Sequence, residues 1–167
     1  MIDLSIVIVN YNTKEFLKRC ISSILDSVSK KINYEIIIVD NASSDNSAEM
    51  VKKEFPQIKL IVNRENGGFS KANNQGIKIS EVCKYVLFLN PDTVMQKNTI
   101  EKMIKFMDET LDVGAATCKL VTLNGEIDDA SHRGFPTPWN AFCYFWDCRG
   151  YSQSHGFSLG TILVGWT

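Results

Sequence analysis

Apolar runs separated by polar clusters set the rhythm of this chain. Leu4–Val9 (LSIVIV) is a continuous, β-branched run that predicts a strand covered on both faces, ending at Asn10-Tyr11-Asn12. Asn12 and Glu15 have the spacing of a capping box. Leu17, Cys20, Ile21, Ile24, Leu25 and Val28 then recur at helical spacing, predicting a helix packed on the sheet and closed by Lys30-Lys31 and Asn33. Tyr34–Asp40 (YEIIIVD) predicts a second buried strand with an acid at its carboxyl end. The polar turn Asn41–Ser47 is rich in N-cap residues and leads to a helix with Ala48, Val51 and Phe55 inward, stopped by Pro56.

Lys59–Val62 predicts a short third strand, and the paired glycines of Asn66-Gly67-Gly68-Phe69 allow a ligand to approach the backbone. A helix over about Ser70–Ser80 follows, with Ala72, Gly76 and either Ile77 or Ile79 facing in. Tyr85–Leu89 predicts the fourth strand, which Pro91 must end because it lacks an N–H and pushes Asn90 toward an extended conformation. Ile100, Met103, Ile104 and Met107 mark another helix beginning near Asn98, and Gly114–Leu120 predicts a fifth strand. Strands alternating with helices imply a three-layer α/β/α domain with a mostly parallel sheet. Beyond Leu120 the pattern changes: Asn124-Gly125 is a two-residue hairpin signal, and from Ser131 the chain is rich in aromatics with little periodicity.

Composition narrows the class without naming it. A chain of 167 residues with 44% hydrophobic and 22% charged content fits one globular domain. A net charge of -1 gives no reason to expect nucleic acid as a partner. Five cysteines without a CxxC pair fit reduced thiols in a cytoplasmic protein; Cys143 and Cys148 have no His at ligand spacing. The N-terminus shows no basic leader or cleavage site, and no apolar run is long enough to span a bilayer.

Candidate chemistry gathers at the predicted strand ends. Tyr11 can stack on a base, and Asp40 with Asn41 can hydrogen-bond one. The Asn66–Phe69 loop can pass beside a ribose, and Asp92 can hold a divalent cation on a diphosphate. Each has a duller explanation: Tyr11 as packing, Asp40 as an N-cap, Gly67-Gly68 as a plain turn, and Asp92 as a turn residue capping the helix near Asn98. A P-loop and a GxGxxG after the first strand are both missing, and Asn10-Tyr11-Asn12 lacks the acid pair of a receiver domain.

Four stretches carry a resemblance: SIVIVNYN at Ser5–Asn12, VDNASSDNS at Val39–Ser47, NGGFSKANNQGI at Asn66–Ile77 and LFLNPDT at Leu87–Thr93. Together they resemble the family-two glycosyltransferases of GT-A fold, in the bacterial rhamnosyltransferase-like branch that makes surface polysaccharides, over about residues 4 to 125. The resemblance implies that Asn10, Tyr11, Asn12, Asp40 and Asn41 surround the donor base and that Asn66, Phe69, Asn73 and Asn74 line the nucleotide-sugar cleft. It also implies that Asp92, with Asn90 where an acid often stands, holds Mg²⁺ or Mn²⁺ on the diphosphate.

The reaction so implied is inverting transfer of a hexosyl or deoxyhexosyl group from a nucleoside-diphosphate sugar to a saccharide or lipid-linked acceptor. The family's base lies in an acidic pair after the metal motif, and no match stands out: Asp108-Glu109 falls within a helix and Asp128-Asp129 sits too near the hairpin. The expectation is therefore a fragment, with a nucleotide-sugar-binding domain over 1–130 and the aromatic-rich start of an acceptor region over 131–167. A non-catalytic nucleotide-sugar-binding module is the alternative. The aromatic tail is expected to meet an acceptor half, a membrane interface as a peripheral contact, or a second copy in a homodimer; folding back as plain core is the simpler reading.

Overall fold

A computed structural model of the chain describes residues 1–122 and 125–126, together with the strand backbone at Ile162–Gly165. By its contacts the chain divides into one unit of Met1–Ala116 with Ile162–Thr167 and another of Thr117–Thr161. The first unit holds β1 (Ile2–Asn10), α1 (Lys14–Ser27), β2 (Tyr34–Asp40), α2 (Ser47–Glu54), β3 (Lys59–Val62), α3 (Phe69–Ile79), β4 (Cys83–Leu89), α4 (Thr99–Glu109), β5 (Ala115–Ala116) and β6 (Ile162–Gly165). The sheet runs in the order β3-β2-β1-β4-β6-β5. β1 pairs in parallel with both β2 and β4, and β2 with β3. β6 is antiparallel to both β4 and β5.

Strand alternation sorts the two faces. Leu4, Ile6 and Ile8 of β1, with Ile36 and Ile38 of β2, pack against Leu17, Ile21 and Ile24 of α1, Met50 and Val51 of α2, and Ile100 and Met107 of α4. Val9 and Val39 point the other way, onto Ala72 of α3. The chain travels outward from β1 to β3 and then returns across the sheet to β4. Right-handed crossovers put the helix of that return on the opposite face, which is where α3 lies. Central strands covered on both sides need continuous apolar runs, as β1 has, and burying each such Ile or Leu contributes about 1.5–3 kcal/mol.

The three-layer, mostly parallel architecture is the one expected, and β2 and β3 begin and end where the sequence places them. Local details differ. Asn12 and Glu15 form no capping box: Thr13 is the N-cap of α1, and the first helical N–H, on Lys14, donates 2.8 Å to Asp45 Oδ2 from the loop after β2. Leu25 falls on the solvent edge of α1, and Ile79 is exposed on α3. The fifth strand is two residues rather than Gly114–Leu120, because β6 offers it only Val164 and Leu163 as partners. β6 itself was not foreseen; it brings part of the aromatic-rich segment back into the sheet between β4 and β5.

In the second unit, Gly125 (φ +81°) donates its N–H to the Thr122 carbonyl at 2.9 Å, and the Thr122 N–H donates to the Glu126 carbonyl at 2.8 Å. Glycine supplies the left-handed position at this turn, and Asn124, the other half of the expected two-residue signal, lies outside the described residues. Cys143, Cys148, Asp128, Asp129 and the aromatics from Phe135 to Phe157 lie outside the described residues.

Candidate functional site

The strand order reverses between β1 and β4, so their carboxyl ends flank the switch point where open α/β sheets bind ligands. The expected residues gather at this rim in two sets. Asn10, Asp40, Asn41 and Asn73 are buried, with Asp40 only 1% exposed. Tyr11 (50% exposed), Phe69 (57%), Asn12, Asn66, Asn74, Asn90 and Asp92 face solvent. The buried set builds the rim and the exposed set lies at its surface.

Asp40 is the hub of the first loop pair. Its Oδ2 accepts the Asn10 amide at 2.8 Å and its Oδ1 accepts the Ser43 N–H at 2.9 Å. Ser43 Oγ accepts from Asn10 Nδ2 and from the Asn12 N–H, while Asn12 Oδ1 accepts the Ser44 N–H at 2.8 Å. Thr13 spends its hydroxyl on Asn10 Oδ1 at 2.6 Å. Asn12 and Ala42 both sit in the left-handed region, with φ +53° and +65°. Asn tolerates that conformation; Ala is held there by its neighbours at a cost of about 1–2 kcal/mol.

The fourth strand end is pinned from α1. Thr93 N–H donates to the Asn90 carbonyl at 3.2 Å, closing a turn with Pro91 and Asp92 at its centre. The Cys20 thiol donates to the same carbonyl at 3.7 Å, and the Met95 N–H donates to Ser23 Oγ at 2.9 Å. Burial, and after it the charge of Asp92, push the Cys20 thiol up to about 12, so it stays protonated as the donor. Asp92 caps no helix, since the N-cap of α4 is Asn98 with φ +62°.

No group of three His, Cys, Asp or Glu side chains converges among the described residues. The rim nevertheless suits one kind of cation. Asp92 is an exposed carboxylate without a hydrogen bond to any described residue, and Asn90 lies two positions before it at the same strand end. A single carboxylate matches the way Mg²⁺ is held, with substrate phosphates and water completing its shell.

Two side chains missed in the sequence join this rim. Asn63, just past β3, and Gln75 of α3 exchange amide hydrogen bonds at 2.9 and 3.1 Å. Asn63 also donates to Asn41 Oδ1 at 2.8 Å. Both line a pocket of about 380 Å³ with Arg64, Glu65, Gly67 and Lys71. Isolated amides carry no periodicity; Gln75 falls within the NGGFSKANNQGI stretch, and nothing in the pattern marks Asn63. Asn73 turns inward, its amide donating to the Phe69 carbonyl of its own helix at 3.0 Å. Asp108, weighed as a base, accepts instead from Lys84 and the Tyr85 hydroxyl.

Comparison with known proteins bears on the fold and the family. The minor teichoic acid biosynthesis protein GgaB of Bacillus subtilis (strain 168) is 33% identical over 111 residues, which are 64% of this chain and 12% of GgaB. The crystal structure of S. aureus TarS 1–349 in complex with UDP-GlcNAc superposes with TM-score 0.65 at 25% identity, covering 78% of this chain and 38% of that one. The mannosyltransferase PcManGT from Pyrobaculum calidifontis, in complex with GDP-Man and Mn²⁺, superposes with TM-score 0.62 at 19% identity over 73% of this chain and 38% of its own, a likeness of fold. The chain thus spans well under two thirds of each. GgaB is named for teichoic acid biosynthesis and not specifically for rhamnosyl transfer, so these relatives carry the family and not the rhamnosyltransferase-like branch. The model of the family described as Glycosyl transferase family 2 matches residues 5–156, and the chain belongs to that family.

Proposed function

We propose that this chain is the donor-binding part of an inverting glycosyltransferase that takes a hexosyl group from a nucleoside-diphosphate sugar. The observation that carries the reading is Asp92: an exposed carboxylate on a pinned turn, at the switch point beside Asn10 and Tyr11. Tyr11 stacks on the base, Asn12, Asn66, Phe69 and Asn74 border the base and ribose, and the buried Asp40–Asn10 pair holds their loops. Asp92 and Asn90 would hold Mg²⁺ or Mn²⁺ at this turn, and the cation so held would supply charge neutralisation for the departing diphosphate. The acceptor is a polymer, in keeping with the names of GgaB and of the poly(ribitol-phosphate) β-N-acetylglucosaminyltransferase TarS, while the UDP-GlcNAc bound in TarS is in keeping with a hexosyl donor. No helix among the described residues is long and apolar enough to cross a membrane.

Calorimetric titration with UDP, GDP and dTDP, each with and without MnCl₂, tests this. One diphosphate should bind, more tightly with Mn²⁺, and Asp92→Ala should remove the metal-dependent increment while the fold stays intact. Equal metal dependence in wild type and Asp92→Ala would overturn the metal assignment. Binding of none of the three would overturn the donor reading.

A further inference from the structure

The amides that tie β2, β3 and α3 together form a chain with a direction. Gln75 and Asn63 pair reciprocally, Nδ2 to Oε1 at 2.9 Å and Nε2 to Oδ1 at 3.1 Å. Asn63 Nδ2 also donates to Asn41 Oδ1 at 2.8 Å, and Asn41 Nδ2 donates onward to the Gly68 carbonyl at 3.4 Å. Gly68 is held from its other side by its N–H, which donates to Asn66 Oδ1 at 3.0 Å. An amide carries distinct donor and acceptor ends, so fixing one end of this chain fixes the orientation of every member.

The bonded groups are not placed for stability alone. Asn41 is 2% exposed, at the end of β2 beside Asp40, yet Asn63 and Gln75 form part of the wall of the pocket at the β3 end. Gly68, the N-cap of α3, has φ +83° with open space where a side chain would stand, and its carbonyl accepts the Ala72 N–H at 3.2 Å besides the Asn41 amide. A loop of paired glycines is otherwise among the softest elements of a fold.

We infer that Asn41, Asn63 and Gln75 act as a relay of positioning residues, clamping the Asn66–Phe69 loop so that the base-bearing half of the donor meets a preformed wall. This rests on the donor reading above and adds to it the residues that set the cleft's shape. Preorganisation of this kind strengthens binding by removing the ordering that a soft loop would otherwise undergo on contact. Gln75 is the member best placed for a test: it is half-buried on α3, and Met is its equal in length and helix propensity without any hydrogen bond.

The experiment uses the full chain, with UDP, GDP, dTDP and pyrophosphate as ligands in the presence of MnCl₂. Gln75→Met should bind the wild type's preferred nucleotide on the order of tenfold more weakly. Pyrophosphate, which has no base, should bind both proteins alike. Gln75→Glu keeps the acceptor for Asn63 Nδ2 and should recover part of the loss. Unchanged nucleotide affinity in Gln75→Met would overturn the relay while leaving the donor reading intact. Equal losses for nucleotide and pyrophosphate would also overturn it, by showing a general loosening. A wild type that binds none of the nucleotides would overturn both.

Discussion

Asn10 and Asp40 are register partners at the last rung of the parallel β1–β2 pair, and their side chains bond at 2.8 Å where the strands end. The pairing closes the sheet at the rim and presents both following loops at a fixed separation. Asp40 therefore serves the fold as well as any ligand. Asp40→Ala leaves the Asn10 amide and the Ser43 N–H without their acceptor and should cost about 1–3 kcal/mol of stability. The same change should weaken nucleotide binding without altering its dependence on Mn²⁺. Denaturant titration and calorimetry on one preparation read both effects; a variant as stable as wild type would remove Asp40 from the scaffold.

Gly76 of α3 lies so close to β1 that a Cβ there would stand 2.5 Å from Val7 Cγ1. Gly76→Ala should destabilise by about 1–3 kcal/mol, in spite of the better helix propensity of Ala. Val7→Ala makes room, so the double variant should be less damaged than the sum of the two singles predicts. A double-mutant cycle by urea unfolding measures this coupling, and strict additivity would mean that α3 simply shifts away.

Acid should loosen the far end of the sheet. Burial raises the Glu35 carboxyl, but the Lys59 ammonium, the Ser5 hydroxyl and the Glu81 N–H outweigh it and hold it below its ordinary 4.5. Asp108 is lowered chiefly by Lys84 and then by Tyr85. A carboxylate depressed in the folded state contributes stability above its ordinary pKa, and that contribution is lost as pH falls through the depressed value. Unfolding midpoints between roughly pH 2 and 7 should fall below pH 4.5, and Glu35→Gln should flatten that limb. An unchanged acid limb in the variant would discount the Glu35–Lys59 pair.

Cys20 should resist alkylation. Its thiol is fully buried beneath the Asp92 turn and is pushed up to about 12, first by burial and then by the Asp92 charge. Reactivity follows the thiolate, so iodoacetamide at about pH 8 should leave the Cys20 peptide unlabelled until urea is added. Rapid labelling of the native chain would show that the turn opens readily.

Much of this molecule was legible where physics is local. Tyr34–Asp40 and Lys59–Val62 read correctly because an apolar run stopped by polar residues needs no distant partner to declare itself. The rim followed, since every strand carries its own carboxyl-end loop. What escaped depends on neighbours far along the chain. The cap of α1 comes from Asp45, 31 residues beyond Lys14, so Asn12 and Glu15 could not reveal it. Asn63 and Gln75 acquire meaning only as a pair across the β3–α3 turn. β6 is a brief ILVG with no alternation, and its place in the sheet is decided by β4 and β5.

That placement bears on the order of folding. During synthesis, β1 to β4 and every element of the nucleotide rim leave the ribosome before β6 exists, so the ligand-facing half can assemble on early, short-range crossovers. Until Ile162–Gly165 arrives, the outer edge of β4 at Tyr85–Phe88 presents unpaired backbone, the kind of edge that invites strands from other chains. Joining β6 to β4 closes a loop from Leu89 to Ile162, a slow non-local step compared with the crossovers before it. Refolding should thus show two phases, with nucleotide binding recovered in the first and resistance to aggregation only in the second.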